Sequence, residues 1–186
     1  FISSADKVEI EDGVRELIKF AKSNDWIVII ITNQSGISRG YFTWDEYKSV
    51  TNRFLEDLGL PLCIDGIYAN GFDDTRYSYW RKPNPGMIFE AQFDFNIDLS
   101  QSILIGDRFS DIKAGLKSNI QTLFHVLTGH GFKERSEIVQ DLSKDKYVES
   151  YKNKELSLNE KGKSTKIYLI DNLKCFPKNF LKLKDD

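Results

Sequence analysis

Residues 26–31, Trp-Ile-Val-Ile-Ile-Ile, are apolar throughout. A strand with apolar side chains at every position is buried on both faces, which is typical of a central strand in a parallel sheet. Further strands are predicted at 64–69, 102–106, 120–126 and 166–171, and segments of helical periodicity separate strands along the chain. Because this alternation builds right-handed βαβ crossovers, the sequence predicts an α/β protein with a doubly wound, Rossmann-like parallel sheet.

Three helices in this pattern have recognisable start signals. Thr43 and Glu46 stand three residues apart and form a capping box. Asp12 is a candidate cap for the first helix. Asn84 can cap the helix that follows it, and Pro85 suits a first helical turn. These starts predict that helices connect the strands.

The length of 186 residues allows one well-cored domain and leaves little room for a second. Between 132 and 165, Lys, Glu, Ser, Asn and Asp dominate and the periodicity weakens, so we interpret this segment as a polar, partly helical insertion. The final strand, within 166–176, is expected to return to the same sheet. We therefore predict a single domain over 1–186 with little or no cap.

Composition excludes several classes of protein. A net charge of -2, from 26 basic and 28 acidic residues, argues against bulk electrostatic binding of nucleic acid. Cys63 and Cys175 stand far apart, as free thiols in a reducing cytoplasm do. No apolar run approaches the ~20 residues of a membrane span, and no signal peptide is visible. We expect a cytoplasmic monomer in which His125 and His130 are structural or surface residues.

Polar clusters follow three of the strands: Thr32-Asn33, the stretch 80–87 (WRKPNPGM) and the stretch 106–111 (GDRFSD). Open α/β sheets bind ligands at the carboxyl ends of their strands. Taken singly, these clusters also fit a loop cap, two surface cations and a helix-terminal acidic pair. Together, a hydroxyl, the Lys82 ammonium and the Asp107 carboxylate match the needs of a phosphate bound with a divalent cation.

The order TNQSGISRG, RKPNPGM, GDRFSD resembles the haloacid dehalogenase (HAD) superfamily of phosphohydrolases, in particular its heptose bisphosphate phosphatase and histidinol phosphatase branch. The resemblance runs from about residue 8 to residue 130 and includes the final strand. It implies Mg²⁺ as cofactor and no nucleic-acid or membrane partner. It implies catalytic roles for Thr32 and Lys82, substrate binding by Asn33, Gln34, Ser35, Arg81 and Arg108, and metal binding by Asp107 and Asp111.

Two elements of that family pattern do not occur in this sequence. The family's nucleophile motif, Asp-x-Asp-Gly-Thr after a first strand, is absent, and residues 1–14 resemble the segment that normally follows it. We therefore expect the sequence to begin just after the nucleophile strand; the alternative is a degenerate, inactive homologue. The Cys/His cluster that many heptose phosphatases carry before RKP is replaced by ANGFDDTRYSYW, so no structural zinc is predicted.

The resemblance implies a Mg²⁺-dependent phosphatase that acts through an aspartyl-phosphate on D-glycero-D-manno-heptose 1,7-bisphosphate, a precursor of surface lipopolysaccharide. Histidinol phosphate is the alternative substrate. The 3′-phosphatases of polynucleotide repair share a similar TNQxGIxRG motif, but this chain lacks their basic excess. A non-catalytic module that binds a phosphosugar or a partner is the hypothesis from a different class.

Overall fold

The structure is a computed structural model that describes residues 4–59, 63–144, 148–152, 155–160 and 163–182. Its helices are α1 (Val14–Lys22), α2 (Trp44–Leu58), α3 (Gly86–Phe95), α4 (Phe109–Lys117) and α5 (Gly131–Lys144). Its strands are β1 (Ile29–Asn33), β2 (Gly66–Asn70), β3 (Ile103–Gly106), β4 (Thr122–Val126), β5 (Val148–Lys152), β6 (Glu155–Glu160) and β7 (Lys163–Ile170). Every helix in these ranges is too short or too polar to cross a membrane.

The predicted α/β fold with a parallel sheet is confirmed. Strands β1 and β2 pair in parallel, and β3, β4 and β7 form a second parallel set in which the final strand, β7, lies beside β4. Two details differ from the prediction. The strands form two separate sheets, one of order β1-β2 and one of order β3-β4-β7-β6-β5, and β5 and β6 are antiparallel additions at the far edge.

Apolar side chains cover both faces of the larger sheet, as a doubly wound fold requires. On one face, Ile112 of α4 and Ile138 of α5 pack in the same core cluster as Leu123 and Ile167 of the strands, and all four are fully buried. On the other face, Phe124 packs with α1 and with the C-terminal 3₁₀ turns at 173–175 and 178–181. The strand ends are therefore held on a rigid scaffold.

The segment interpreted as a polar insertion contributes to the core. Within 132–165, the described residues form most of α5, all of β5 and β6 and the start of β7, while 145–147, 153–154 and 161–162 lie outside the described residues. Ile138 and Leu142, four residues apart on one face of α5, are buried together with Leu156. The sequence indicated a partly helical segment, but these few apolar positions among many charged residues did not indicate that it packs into the core.

The helix starts test the predicted caps. The capping box is present, since Thr43 Oγ1 accepts from Glu46 N and the Glu46 carboxylate accepts from Thr43 N. The predictions for Asp12 and Asn84 are wrong by one residue. Gly13 is the N-cap of α1, with φ +88°, where a side chain would meet the backbone of Lys174. Pro85 occupies the cap position of α3.

Candidate functional site

Three predicted site residues from different parts of the chain meet at the carboxyl end of β1. Lys82, in the loop before α3, donates from Nζ to the carbonyl oxygen of Ile31 at 2.8 Å. The same Nζ lies 2.7 Å from Asp111 Oδ1, at the start of α4. Thr32 follows Ile31 on β1 and faces the same cavity as Lys82 and Asp111. The convergence of strand ends inferred from the sequence is therefore realised by Thr32, Lys82 and Asp111.

Asp111 is an almost fully buried carboxylate, with a relative exposure of 5%. Its Oδ2 accepts a hydrogen bond from Arg108 N at 3.0 Å, which caps the first turn of α4. Its Oδ1 is buried and makes the ion pair with Lys82, but that contact lacks hydrogen-bond geometry, and no hydrogen bond reaches Oδ1 from the described residues. A Cβ at Gly106 would clash with this carboxylate, so glycine is required there. Asp111 thus presents one oxygen able to accept a further ligand.

Asp107 follows β3 directly and is held by the loop after β4. Its Oδ2 accepts a hydrogen bond from the backbone N–H of His130 at 2.7 Å. Gly129, with φ +60°, makes this contact possible, because a Cβ at that position would clash with Asp107 Oδ2. Asp107 therefore reaches the site in a fixed orientation and lines the same cavity as Asp111.

Asn33 uses its side chain to hold Lys82. Its Oδ1 accepts from Lys82 N at 3.0 Å, and its Nδ2 donates to Lys82 O at 2.9 Å. One donor and one acceptor site of the amide bind the backbone of the same residue, so Asn33 helps to position Lys82. Gln34 Nε2 donates to Thr32 Oγ1 at 2.9 Å, which leaves the Thr32 hydroxyl proton available to an acceptor.

The other predicted substrate-binding residues lie outside this centre. Ser35 is buried, and its carbonyl oxygen accepts from the side chain of Ser38. Arg81 donates from Nη1 to the carbonyl oxygen of Phe72 at 2.9 Å. Arg108 is half-exposed and forms an ion pair of 3.1 Å with Glu134 of α5. Each cation already has a protein partner, and a substrate would have to compete with it.

A cavity of about 710 Å³ separates the two sheets, and we call it the interstrand gap. Its walls include Ile29, Ile30 and Ile31 of β1 and Ile103, Leu104 and Ile105 of β3. At one end it opens onto Thr32, Lys82, Asp107 and Asp111. Among the described residues, β1 pairs only with β2 and β3 pairs only with β4, so both strands present an unpaired edge to the gap.

Three side chains near this centre were not predicted as site residues: His125 on β4, and Glu134 and Arg135 in the first turn of α5. Glu134 accepts hydrogen bonds from Phe109 N and from the Arg108 side chain, which joins α5 to the start of α4. His125 is fully buried, as expected of a structural histidine, and His130 is exposed. Burial lowers the pKa of His125, and the positive charge of Arg135 adds to this effect, so the ring is neutral near pH 7.

Two aspartates in the loop before Arg81 form ion pairs with Arg39. Arg39 contacts Asp74 at 2.9 Å and Asp73 at 3.8 Å. Within the described ranges, no three His, Cys, Asp or Glu side chains gather closely enough to hold a metal by themselves. A cation at the strand ends would therefore take ligands from its substrate and from water in addition to Asp107 and Asp111.

Comparisons with known proteins show which families this chain is similar to. A model of the HAD-hydrolase-like family matches residues 79–152. A D-glycero-beta-D-manno-heptose-1,7-bisphosphate 7-phosphatase of Helicobacter pylori is 37% identical over 123 residues, which cover 65% of this chain and 71% of the relative. A D-glycero-alpha-D-manno-heptose-1,7-bisphosphate 7-phosphatase of Burkholderia mallei is 37% identical over 132 residues, 66% of this chain and 69% of the relative.

A solved structure is also similar. The crystal structure of D,D-heptose 1,7-bisphosphate phosphatase from B. bronchiseptica, complexed with magnesium and phosphate, superposes with a TM-score of 0.68 at 26% identity. The match covers 74% of this chain and 76% of that one. The likeness therefore includes most of both folds.

Proposed function

The chain belongs to the D-glycero-D-manno-heptose-1,7-bisphosphate 7-phosphatase family of HAD-like hydrolases, and on this basis we propose that it removes the 7-phosphate from D-glycero-D-manno-heptose 1,7-bisphosphate. The observation that carries the proposal is that the chain covers 71% of a phosphatase of this name at 37% identity. The reaction is a Mg²⁺-dependent hydrolysis of a phosphomonoester.

Thr32 and Lys82 supply donors for the transferring phosphate. The Thr32 hydroxyl accepts from Gln34, so its own proton can be donated to a phosphate oxygen. The Lys82 ammonium is held by Ile31 O and Asp111, and it is oriented before any substrate arrives. Catalysis of phosphoryl transfer depends mainly on such positioning and on neutralisation of phosphate charge.

Asp107 and Asp111 are the residues that would hold Mg²⁺. The buried Oδ1 of Asp111 has no hydrogen-bond donor among the described residues, and Gly106 leaves room for the carboxylate. Mg²⁺ prefers hard oxygen ligands and commonly binds one or two carboxylates together with phosphate and water, which matches this pair. When bound, the ion neutralises charge on the phosphate oxygens.

The attacking carboxylate, in this proposal, is carried by an extended segment in the interstrand gap. A strand parallel to β1 and β3 would satisfy the unpaired N–H and C=O groups of both edges and would bury apolar side chains against the isoleucines. Its carboxyl end would meet Lys82. The oxygen of the first Asp would attack phosphorus, the bond from phosphorus to the sugar oxygen would break, and the second Asp would give its proton to that leaving oxygen. The second Asp would then take a proton from water, which would hydrolyse the aspartyl-phosphate and release inorganic phosphate.

A complementation assay tests the function directly. The chain is mixed with a synthetic peptide of about five β-branched residues followed by Asp-x-Asp-Gly-Thr, and the same segment is also fused ahead of Phe1. Phosphate release is measured with Mg²⁺ on both anomers of the heptose bisphosphate, on histidinol phosphate and on a 3′-phosphorylated oligonucleotide. We expect release from a heptose bisphosphate, and none with a peptide whose first Asp is Asn.

Two results would contradict the proposal. Faster release from histidinol phosphate or from the oligonucleotide would show that the substrate is wrong. A fused protein that binds the heptose bisphosphate in calorimetry and hydrolyses none of the substrates would be a binding module. Lys82→Met should abolish release in the fused protein, whereas Lys113→Met, which removes an exposed lysine of α4, should retain it.

A further inference from the structure

The buried imidazole of His125 lies directly behind Asp107. His125 is the fourth residue of β4 and has no exposed surface. Its Nε2 lies 3.1 Å from the backbone carbonyl oxygen of Asp107. A polar ring buried in a protein core is unfavourable unless both nitrogens have partners. The other nitrogen, Nδ1, must therefore be accounted for as well.

Arg135 determines which nitrogen of His125 carries the proton. Its Nε lies 3.2 Å from His125 Nδ1. A guanidinium can only donate, so Nδ1 must accept and must be unprotonated. The single proton of the neutral ring is then on Nε2, where it donates to Asp107 O. Arg135 is itself fixed, because Nη2 donates to the carbonyl oxygens of His125 and Ile170 at the ends of β4 and β7.

Asp107 is thus held at two points that both originate near the end of β4. Its backbone carbonyl receives the proton of His125 Nε2, and its Oδ2 receives the N–H of His130. The main chain and the carboxylate cannot rotate independently without losing one of these bonds. The network therefore joins Asp107 to residues of β4 and α5.

We propose that His125 and Arg135 are positioning residues for Asp107, and that they set the affinity of the site for a divalent cation. The inference rests on the proposed function, because it assumes that Asp107 is a metal ligand. Groups that orient a metal ligand commonly change metal affinity by about 10- to 100-fold when they are removed. The chemical requirement is a neutral donor at Nε2, since an apolar ring of similar size would leave Asp107 O without a partner.

The first measurement is the tautomer, which needs neither metal nor activity. In ¹⁵N-histidine-labelled protein, long-range ¹H–¹⁵N spectra distinguish a ring protonated at Nε2 from one protonated at Nδ1. We expect His125 to be protonated at Nε2 in the wild type and to show a mixture of both forms in Arg135→Met. Protonation at Nδ1 in the wild type would overturn the inference.

The second measurement is cation affinity, followed by titration of Mg²⁺ alone at the backbone amide of Asp107 in NMR spectra. His125→Phe should weaken binding by about 10- to 100-fold. His125→Gln, whose amide nitrogen can replace the Nε2 donor, should recover part of this loss. Ile167→Val, a mild change at a fully buried site on β7, controls for loss of packing and should leave the affinity unchanged.

The outcomes separate this inference from the proposed function. Wild-type affinity in His125→Phe, or equal losses in His125→Phe and His125→Gln, would show that the ring serves packing alone and would overturn the inference. If His125→Phe does not fold, the comparison is made with Arg135→Met. If Mg²⁺ does not bind near Asp107 in the wild type, the assumed ligand role fails and the affinity claim is overturned, whatever substrate the fused protein hydrolyses.

Discussion

Lys82 Nζ and Asp111 Oδ1 lie 2.7 Å apart, with side chains that are only 11% and 8% exposed. This ion pair joins the loop before α3 to the start of α4 across the end of β1. Removal of one partner from a buried pair leaves the other charge without compensation, which costs far more than the pair contributes as a whole. The contact between Lys82 and Asp111 therefore affects the stability of the fold as well as the orientation of the Lys82 ammonium in the site.

Lys82→Met should lower the free energy of unfolding by roughly 3 kcal/mol, because it leaves the Asp111 carboxylate buried and unpaired. Adding Asp111→Asn to that variant should recover part of the loss, since the uncompensated charge is then gone. Urea denaturation at neutral pH measures both values. Equal stability of the single and the double variant would show that the carboxylate does not depend on Lys82.

Lys113→Met is the matched control, since it removes the same kind of charge from an exposed pair. Lys113 Nζ lies 3.3 Å from Asp141, and both side chains are about half-exposed, at 41% and 50%. Solvent-exposed pairs of this kind contribute about 0–1 kcal/mol. If Lys113→Met lowers the free energy of unfolding as much as Lys82→Met does, burial of the ion pair is not the reason for the loss in Lys82→Met.

Gly129→Ala should be more damaging than Gly59→Ala, although both glycines have nearly the same backbone conformation. Their φ angles are +60° and +64°, so alanine meets the same left-handed strain of about 1–2 kcal/mol at either position. A Cβ at Gly129 would clash with Asp107 Oδ2, whereas one at Gly59 would meet no heavy atom of the described residues within 4 Å, its chain neighbours aside. The extra loss should be roughly 1–3 kcal/mol, from the disturbed bond between Asp107 and His130.

Urea denaturation measures the free energy of unfolding of the two glycine variants, and Mg²⁺ titration measures their cation affinity. Only Gly129→Ala should weaken cation binding, because only that variant displaces a carboxylate of the site. If the two variants have the same stability and the same cation affinity, the loop at 127–131 can change conformation at little cost and does not hold Asp107 in place.

Tyr68 should make the fold sensitive to alkaline pH. Burial raises the pKa of Tyr68 to about 12, and the hydrogen bond to Asp94 Oδ2 at 2.6 Å adds to this effect. Because the folded-state pKa lies above the ordinary value of 10, the stabilisation is complete below pH 10 and is lost as the pH rises towards 12. The stability difference between the wild type and Tyr68→Phe should therefore narrow across that interval.

Urea denaturation at pH 9 and at pH 11 measures this change. Tyr77→Phe is the control, because Tyr77 is 86% exposed and should show no such narrowing. A constant difference between the wild type and Tyr68→Phe at both pH values would show that the phenol ionises without penalty in the folded protein.

The proximity of polar residues at the strand ends could be predicted from the sequence. Thr32, Lys82 and Asp111 could be grouped because strands of a parallel sheet end on the same side, and this rule requires no knowledge of side-chain contacts. An apolar run after the polar segment predicted a last strand that returns to the sheet, and in the structure this strand lies beside β4.

Contacts between side chains and backbone atoms could not be predicted in this way. Nothing in the sequence indicated that the Asn33 amide binds the main chain of Lys82, because any residue could have supplied those backbone groups. The contacts of Arg135 could not be predicted either, because its side chain donates to a backbone carbonyl oxygen, which every residue has. The apolar residues of α5, Ile138 and Leu142, were too few among charged neighbours to show that this partly helical segment packs into the core.

Asn33→Asp tests whether this amide holds Lys82 in place. Aspartate can still accept from Lys82 N, but at neutral pH it cannot donate to Lys82 O, and a carboxylate oxygen would face that carbonyl. We expect a loss of about 1–3 kcal/mol in the free energy of unfolding at pH 7. Asn52→Asp, which adds the same charge to an exposed position of α2, should cost less than the site variant.

The pH dependence of Asn33→Asp distinguishes a lost donor from an added charge. A carboxylate that faces a carbonyl oxygen favours its protonated form, so the folded-state pKa of the new side chain should lie above the ordinary Asp value of about 3.9. The protonated acid can donate to Lys82 O, so the deficit relative to the wild type should shrink as the pH falls from 7 to 4. A deficit that stays constant over this range would contradict the role of the Asn33 donor, because the missing hydrogen bond would not then be the cause of the instability.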